Sequence, residues 1–346
     1  MKPTQQELTQ WAIDQITKKY PKDIALLIAI SGHALEDDCH GECFDYFIPA
    51  NDNGYNLSQT FILDGVGHDL YPRSWERIEN MAEFNDDFSN GLADGIILYY
   101  RNEEDKNHFI EMQNRQKTNL ADQGFMLKKA LEKLDTSMEI YRTMMFEDKL
   151  YKVRMAAGFI AHFLSIAVAY MNGTYFKQRL DLETVELAQM KLVPENFIVY
   201  YEAIVKAQTI DELKTLSHMI ISTTRKFIGA QKPRKAEEEK NHNYQDLAGW
   251  YEELSLTLRR IYFHCDTNNY MRAFPDAMNA QNELNVVQEE FGLREMDLMG
   301  AFDVTDMLLL KLRAQEIEQY IIAEIENHGI KLNKYESLEQ FLEKNS

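Results

Sequence analysis

Cysteine is scarce in this chain. Cys39, Cys43 and Cys265 are the three in 346 residues, too few and odd in number for a disulfide framework. With no signal-like segment before Trp11, the expectation is a cytoplasmic protein in a reducing compartment. Positive charge is short as well: 37 Lys and Arg face 56 Asp and Glu, a formal net charge of −19. Binding a phosphate backbone calls for a basic face, so no nucleic-acid partner is expected. Small cations would be drawn by such a field. Long apolar runs are lacking too. The longest, residues 155–171, contains His162 and stops at Asn172-Gly173, so it reads as a buried helix and no membrane partner is expected. No internal repeat of fixed period is found. What remains is an ordinary hydrophobic fraction of 45% in a chain long enough for more than one core.

The first hundred residues carry strand signals. Thr4 and Glu7 form a capping box ahead of a helix with Leu8, Trp11, Ala12 and Ile16 on one face, and Pro21 ends it. Residues 24–30 are continuously apolar, the pattern of a strand buried on both faces. Strands are predicted at 44–48, 60–64, 67–71 and 95–100, punctuated by Asn53-Gly54 and by Gly65 and Gly67. A helix is predicted from Ser74 to Phe84 after Pro72. Beyond residue 107 the spacing becomes helical, over 107–134, 136–147, 148–171, 195–208, 210–229, 245–266, 269–290 and 306–327. Residues 231–243 are charged and nearly devoid of apolar side chains, which predicts a solvated loop. The fold class expected is α+β: a mixed-sheet domain over 1–110, then an all-helical domain over 111–346.

The chemistry-bearing residues cluster early. An apolar strand runs into Ser31-Gly32, a polar stretch follows, and a short strand then carries Asp45. A further carboxylate, Asp69, sits in the apolar run 66–71. Holding a triphosphate needs a small-residue turn whose amides approach the phosphates, and carboxylates that bind Mg²⁺, a hard cation preferring oxygen ligands. Alternate strand residues share a face, so acids two apart address one metal cluster.

This order of parts resembles the nucleotidyltransferase superfamily, which includes kanamycin and lincosamide nucleotidyltransferases and DNA polymerase β. There an apolar strand, a Gly-Ser turn, an Asp-x-Asp pair and a later third Asp follow in sequence. Ala29-Ile30-Ser31-Gly32-His33, Cys43-Phe44-Asp45 and His68-Asp69-Leu70 stand at the matching places, and Asp94–Tyr99 resembles a later strand of the family. The resemblance covers about the first third of the chain. It implies transfer of a nucleoside monophosphate from ATP or another triphosphate to a hydroxyl of a small-molecule acceptor. Asp45 and Asp69 would be the catalytic, Mg²⁺-binding acids; Ser31, Gly32 and His33 would cradle the β- and γ-phosphates. The helical remainder would hold the acceptor.

Two departures qualify it. The turn reads Ser-Gly, and Cys43 stands where the first acid belongs; a soft thiol is a poor Mg²⁺ ligand. Glu42 points to the opposite strand face unless a bulge re-aims it. The alternative reading is therefore a catalytically degenerate member acting as a nucleotide-binding or protein-interaction module. Cys39, His40, Cys43 and His33 lack a second metal-binding pair and do not read as zinc ligands. His162 and His218, in apolar helical stretches, read as core histidines. Glu252 and Glu253 read as a charged helix face before they read as a general base.

Overall fold

The computed structural model describes residues 5–30, 44–63, 65–177, 180–231 and 242–345. The chain divides into two compact units, Met1–Pro233 and Arg234–Ser346. The boundary expected after residue 110 falls inside the first unit, where the sheet and the helices that follow it pack together.

In the first unit, helix α1 (Gln5–Lys19) precedes strands β1 (Ile24–Ile30), β2 (Phe44–Pro49), β3 (Gln59–Leu63) and β4 (Val66–Pro72). Helix α2 (Trp75–Ala82), the single turn α3 (Asn90–Ala93) and strand β5 (Gly95–Tyr100) complete the α/β part. The five strands form one sheet in the order β3-β4-β2-β1-β5, parallel only between β2 and β4. All seven residues of β1 are buried, as the apolar run requires of a central strand covered on both faces. One face packs Leu27, Phe47 and Leu70 against Ala12 and Ile16 of α1. The other packs Ile28, Tyr46 and Ile48 against Ile78 and Met81 of α2 and Phe109 and Met112 of the next helix. The capping box falls partly on Thr4, outside the described residues.

That next helix is α4 (Glu103–Ala121), followed by α5 (Gln123–Met144), α6 (Leu150–Met171), α7 (Glu183–Gln189), α8 (Phe197–Lys206) and α9 (Ile210–Gln231). Along α4, Gln113, Gln116 and Asn119 recur every three residues, so all three amides face the same way. Gln113 donates to the carbonyls of Leu92 and Gly95, Gln116 to those of Met81 and Ser89, and Asn119 to that of Ala82. This row of amides binds carbonyls at the end of α2, in and just before α3, and at the start of β5. It ties α4 to α2, α3 and the start of β5. The helix break predicted between 134 and 136 lies instead at Asp122, whose side chain caps α5 by accepting from the Phe125 amide at 3.0 Å. Of the described residues, one helix, α6, is long and apolar enough to cross a membrane. Val153, Ala157, Ile160 and Leu164 on it are buried in the core shared with α5 and α9.

The second unit holds α10 (Tyr244–Asp266), α11 (Tyr270–Phe291), α12 (Met307–Asn327) and α13 (Leu338–Asn345). Leu254, Leu258 and Ile261 meet Leu284, Leu310 and Ile317 in its core. Within that core Glu318 accepts from the hydroxyls of Tyr251 at 2.9 Å and Tyr262 at 2.8 Å and pairs with Arg259, a carboxylate with its charge answered. The predicted loop at 231–243 lies almost wholly outside the described residues.

Candidate functional site

Asp45 sits on a β-bulge. Between the pairs Ile28↔Tyr46 and Ala29↔Phe44, β1 advances one residue while β2 advances two. The residue passed over is Asp45, which a bulge can re-aim independently of strand alternation. Its side chain, 26% exposed, reaches the guanidinium of Arg73, with Arg73 Nη2 to Asp45 Oδ2 at 3.3 Å. Arg73 follows β4 directly and its amide donates to the Phe47 carbonyl, extending the parallel ladder.

The Arg73 side chain is only 2% exposed. Its Nε donates to the Tyr71 hydroxyl at 2.8 Å, Nη2 also bonds that hydroxyl, and Nη1 meets Met81 Sδ at 3.8 Å. The guanidinium carbon lies 4.2 Å from the Tyr46 ring centroid and 5.1 Å from that of Tyr71, within cation–π reach. Room for it comes from Gly91: a Cβ there would come within 2.5 Å of Nη1. The Gly91 carbonyl in turn accepts from the Tyr46 hydroxyl at 2.9 Å. Burial pushes the Tyr46 and Tyr71 phenols up, against the pull of the Arg73 charge.

Asp69 is exposed, and its Oδ1 accepts from the hydroxyl of Thr60, its cross-strand partner, at 2.9 Å. Strand alternation puts Asp69 on the face of Tyr71, the face to which Asp45 is turned. Tyr46 pairs with Tyr71 in the parallel register, so the two carboxylates arrive from adjacent strands on one side of the sheet. Each has its own protein partner, Arg73 for Asp45 and Thr60 for Asp69. Among the described residues no group of three or more His, Cys, Asp or Glu side chains is placed to hold a metal. The donor chemistry is right for Mg²⁺, but two acids are few and one of them neutralises a buried cation. Among the described residues, Asp45 and Asp69 by themselves do not fit a catalytic metal pair. Ser31, Gly32, His33 and Cys43 lie outside the described residues.

No family model matches this chain, and no curated protein matches it. Among solved structures, five chains match. One is a nucleotidyltransferase-like protein from Exiguobacterium sibiricum 255-15, 12% identical, matched over 64% of this chain and 75% of that one with a TM-score of 0.38. So loose a likeness decides neither the family nor the site.

Arg73 is the residue that sequence reasoning passed over. Its one signal is position: it stands between the end of a strand and Ser74, which caps α2 by accepting from the Arg77 amide. No spacing rule marks such an arginine as buried. His218 corrects an expectation, since it is exposed and lies near the Tyr141 ring with centroids 6.1 Å apart. His162 is half-buried, with Nδ1 2.5 Å from Glu183 Oε2. Glu252 accepts from the Asn333 amide and side chain, an exposed structural contact within the second unit.

Proposed function

We propose that the first unit is a catalytically degenerate nucleotidyltransferase-like module that binds a nucleoside triphosphate without transferring its nucleoside monophosphate. The observation that carries this reading is the Arg73 guanidinium against Asp45. A carboxylate that serves as counter-ion to a 2%-exposed cation has its charge already answered, and Mg²⁺ must compete with that cation for it. Cys43 in place of the first acid weakens the metal site in the same direction. Nucleotide as the ligand rests on the sequence resemblance alone, with Ser31, Gly32 and His33 as the phosphate cradle.

The transferase reading keeps one observation of its own: Asp45 and Asp69 come from adjacent strands to one face of the sheet. Under it, Asp45 and Asp69 hold Mg²⁺, and a small-molecule hydroxyl accepts the nucleoside monophosphate. A Cys43→Asp variant separates the two. Under the degenerate reading, calorimetry with a non-hydrolysable ATP analogue shows affinity that Mg²⁺ does not improve in the native protein but does improve in Cys43→Asp. Mg²⁺-dependent binding by the native protein that disappears in Asp69→Asn, a substitution at an exposed site, overturns it in favour of the transferase.

A further inference from the structure

Away from the two aspartates, the first unit contains a cavity of about 380 Å³, the size of a small-molecule site. Its walls are apolar and aromatic, from Phe88 before α3, Tyr170 on α6, and Phe176 and Leu180 between α6 and α7. Two polar side chains among those lining it form a pair, His162 and Glu183. Glu183 is 3% exposed and opens α7. One of its oxygens, Oε2, meets His162. The Tyr201 phenol near this carboxylate is pushed up to about 12 by burial and then by the Glu183 charge. The other oxygen, Oε1, is buried with no hydrogen-bond partner.

An unpartnered buried carboxylate oxygen is costly, because it has lost water and gained no donor. Glu183 is among the residues lining the cavity, so its carboxylate places a negative charge at the wall. The walls add a preference, since aromatic faces attract a positive charge once water is excluded. A second acid at the cavity, Asp87, is paired with Lys133 and so adds no second charge demand.

We propose that this cavity is a binding site for a small organic monocation, an ammonium group on an apolar body, with the cation paired to the Glu183 carboxylate and the body lying among Phe88, Tyr170 and Phe176. This goes beyond the nucleotide reading and does not depend on it. Asp45, Asp69 and the Ser31-Gly32 turn take no part.

The test is calorimetric titration of the full-length protein with two probes of one skeleton, 2-phenylethylammonium and 2-phenylethanol. The ammonium is expected to bind about tenfold or more tightly, the size of one charge-assisted hydrogen bond. Glu183→Gln is expected to erase that preference while alcohol binding persists. Leu180 is 66% exposed at the cavity, so Leu180→Trp leaves the interior packing alone. It should weaken the ammonium severalfold, and this variant localises the site even if Glu183→Gln does not fold. Equal affinities for the two probes, no binding of either, a preference that survives Glu183→Gln, or an unchanged affinity in Leu180→Trp each overturns the proposal.

Discussion

A guanidinium with 2% of its side chain exposed keeps its charge only if the fold returns what water supplied. For Arg73 the return comes from the Asp45 carboxylate, the Tyr71 hydroxyl and the face of the Tyr46 ring. Removing the carboxylate leaves the cation uncompensated, a loss of about 3–5 kcal/mol for a buried pair. Asp45→Ala is therefore expected to lower the urea midpoint strongly, whatever it does to ligands. The double substitution Asp45→Leu with Arg73→Met removes both charges and should recover much of the loss. An Asp45→Ala midpoint equal to the native one would show that the pair carries no stability. For the same reason Asp69 is the better position for probing nucleotide chemistry: its contact is an exposed hydroxyl, and its replacement strands no buried charge.

At the scale of elements, α4 is joined to the α/β part by polar side chains as well as apolar ones. Gln116 is buried and its Nε2 donates at 3.2 Å to the Met81 carbonyl and at 2.8 Å to that of Ser89. Gln116→Leu preserves volume and removes one donor from two carbonyls that keep backbone donors, Phe84 for Met81 and Ala93 for Ser89, and is expected to cost about 0.5–1.5 kcal/mol. Chemical denaturation measures it. A variant as stable as the native protein would show that the Gln116 bonds carry no net stability. The strands and most helices were legible in the sequence because their signals are local: a run of seven apolar residues in β1, glycines at the turns, caps at Ser74. The break at Asp122 is marked only by Gly124, inside the first turn of α5, where a lone glycine does not by itself end a helical pattern; the chain turns on one side-chain cap. The short helices α7 and α13 fell below the length at which periodicity speaks.

Across the whole molecule, each unit buries tyrosines beside a carboxylate. Tyr201 in the first unit and Tyr251 in the second are both pushed up to about 12 from an ordinary value of 10, first by burial and next by Glu183 and Glu318 respectively. The folded state holds these phenolic protons more tightly than the unfolded chain does. Their contribution is complete below pH 10 and is lost as the pH rises from about 10 through 12. Stability measured by urea unfolding should therefore fall across that window. The tyrosinate absorption of these residues should appear with unfolding and not before it. Titration of all tyrosines near 10 with the fold intact would contradict the burial described for them.

The amino-acid order by itself determined the α+β class, the strand positions and the candidacy of Asp45 and Asp69, because alternation, apolar runs and turn residues act over a few neighbours. Only the tertiary structure decided that the chain divides after Pro233, that a bulge turns Asp45 toward Arg73, and that Glu183 ends beside a cavity with one oxygen unpaired. Each of these is a meeting of residues far apart in the chain, 28 positions for Arg73 with Asp45 and 21 for Glu183 with His162. Which charge a buried carboxylate answers is set by packing, and no local spacing encodes it.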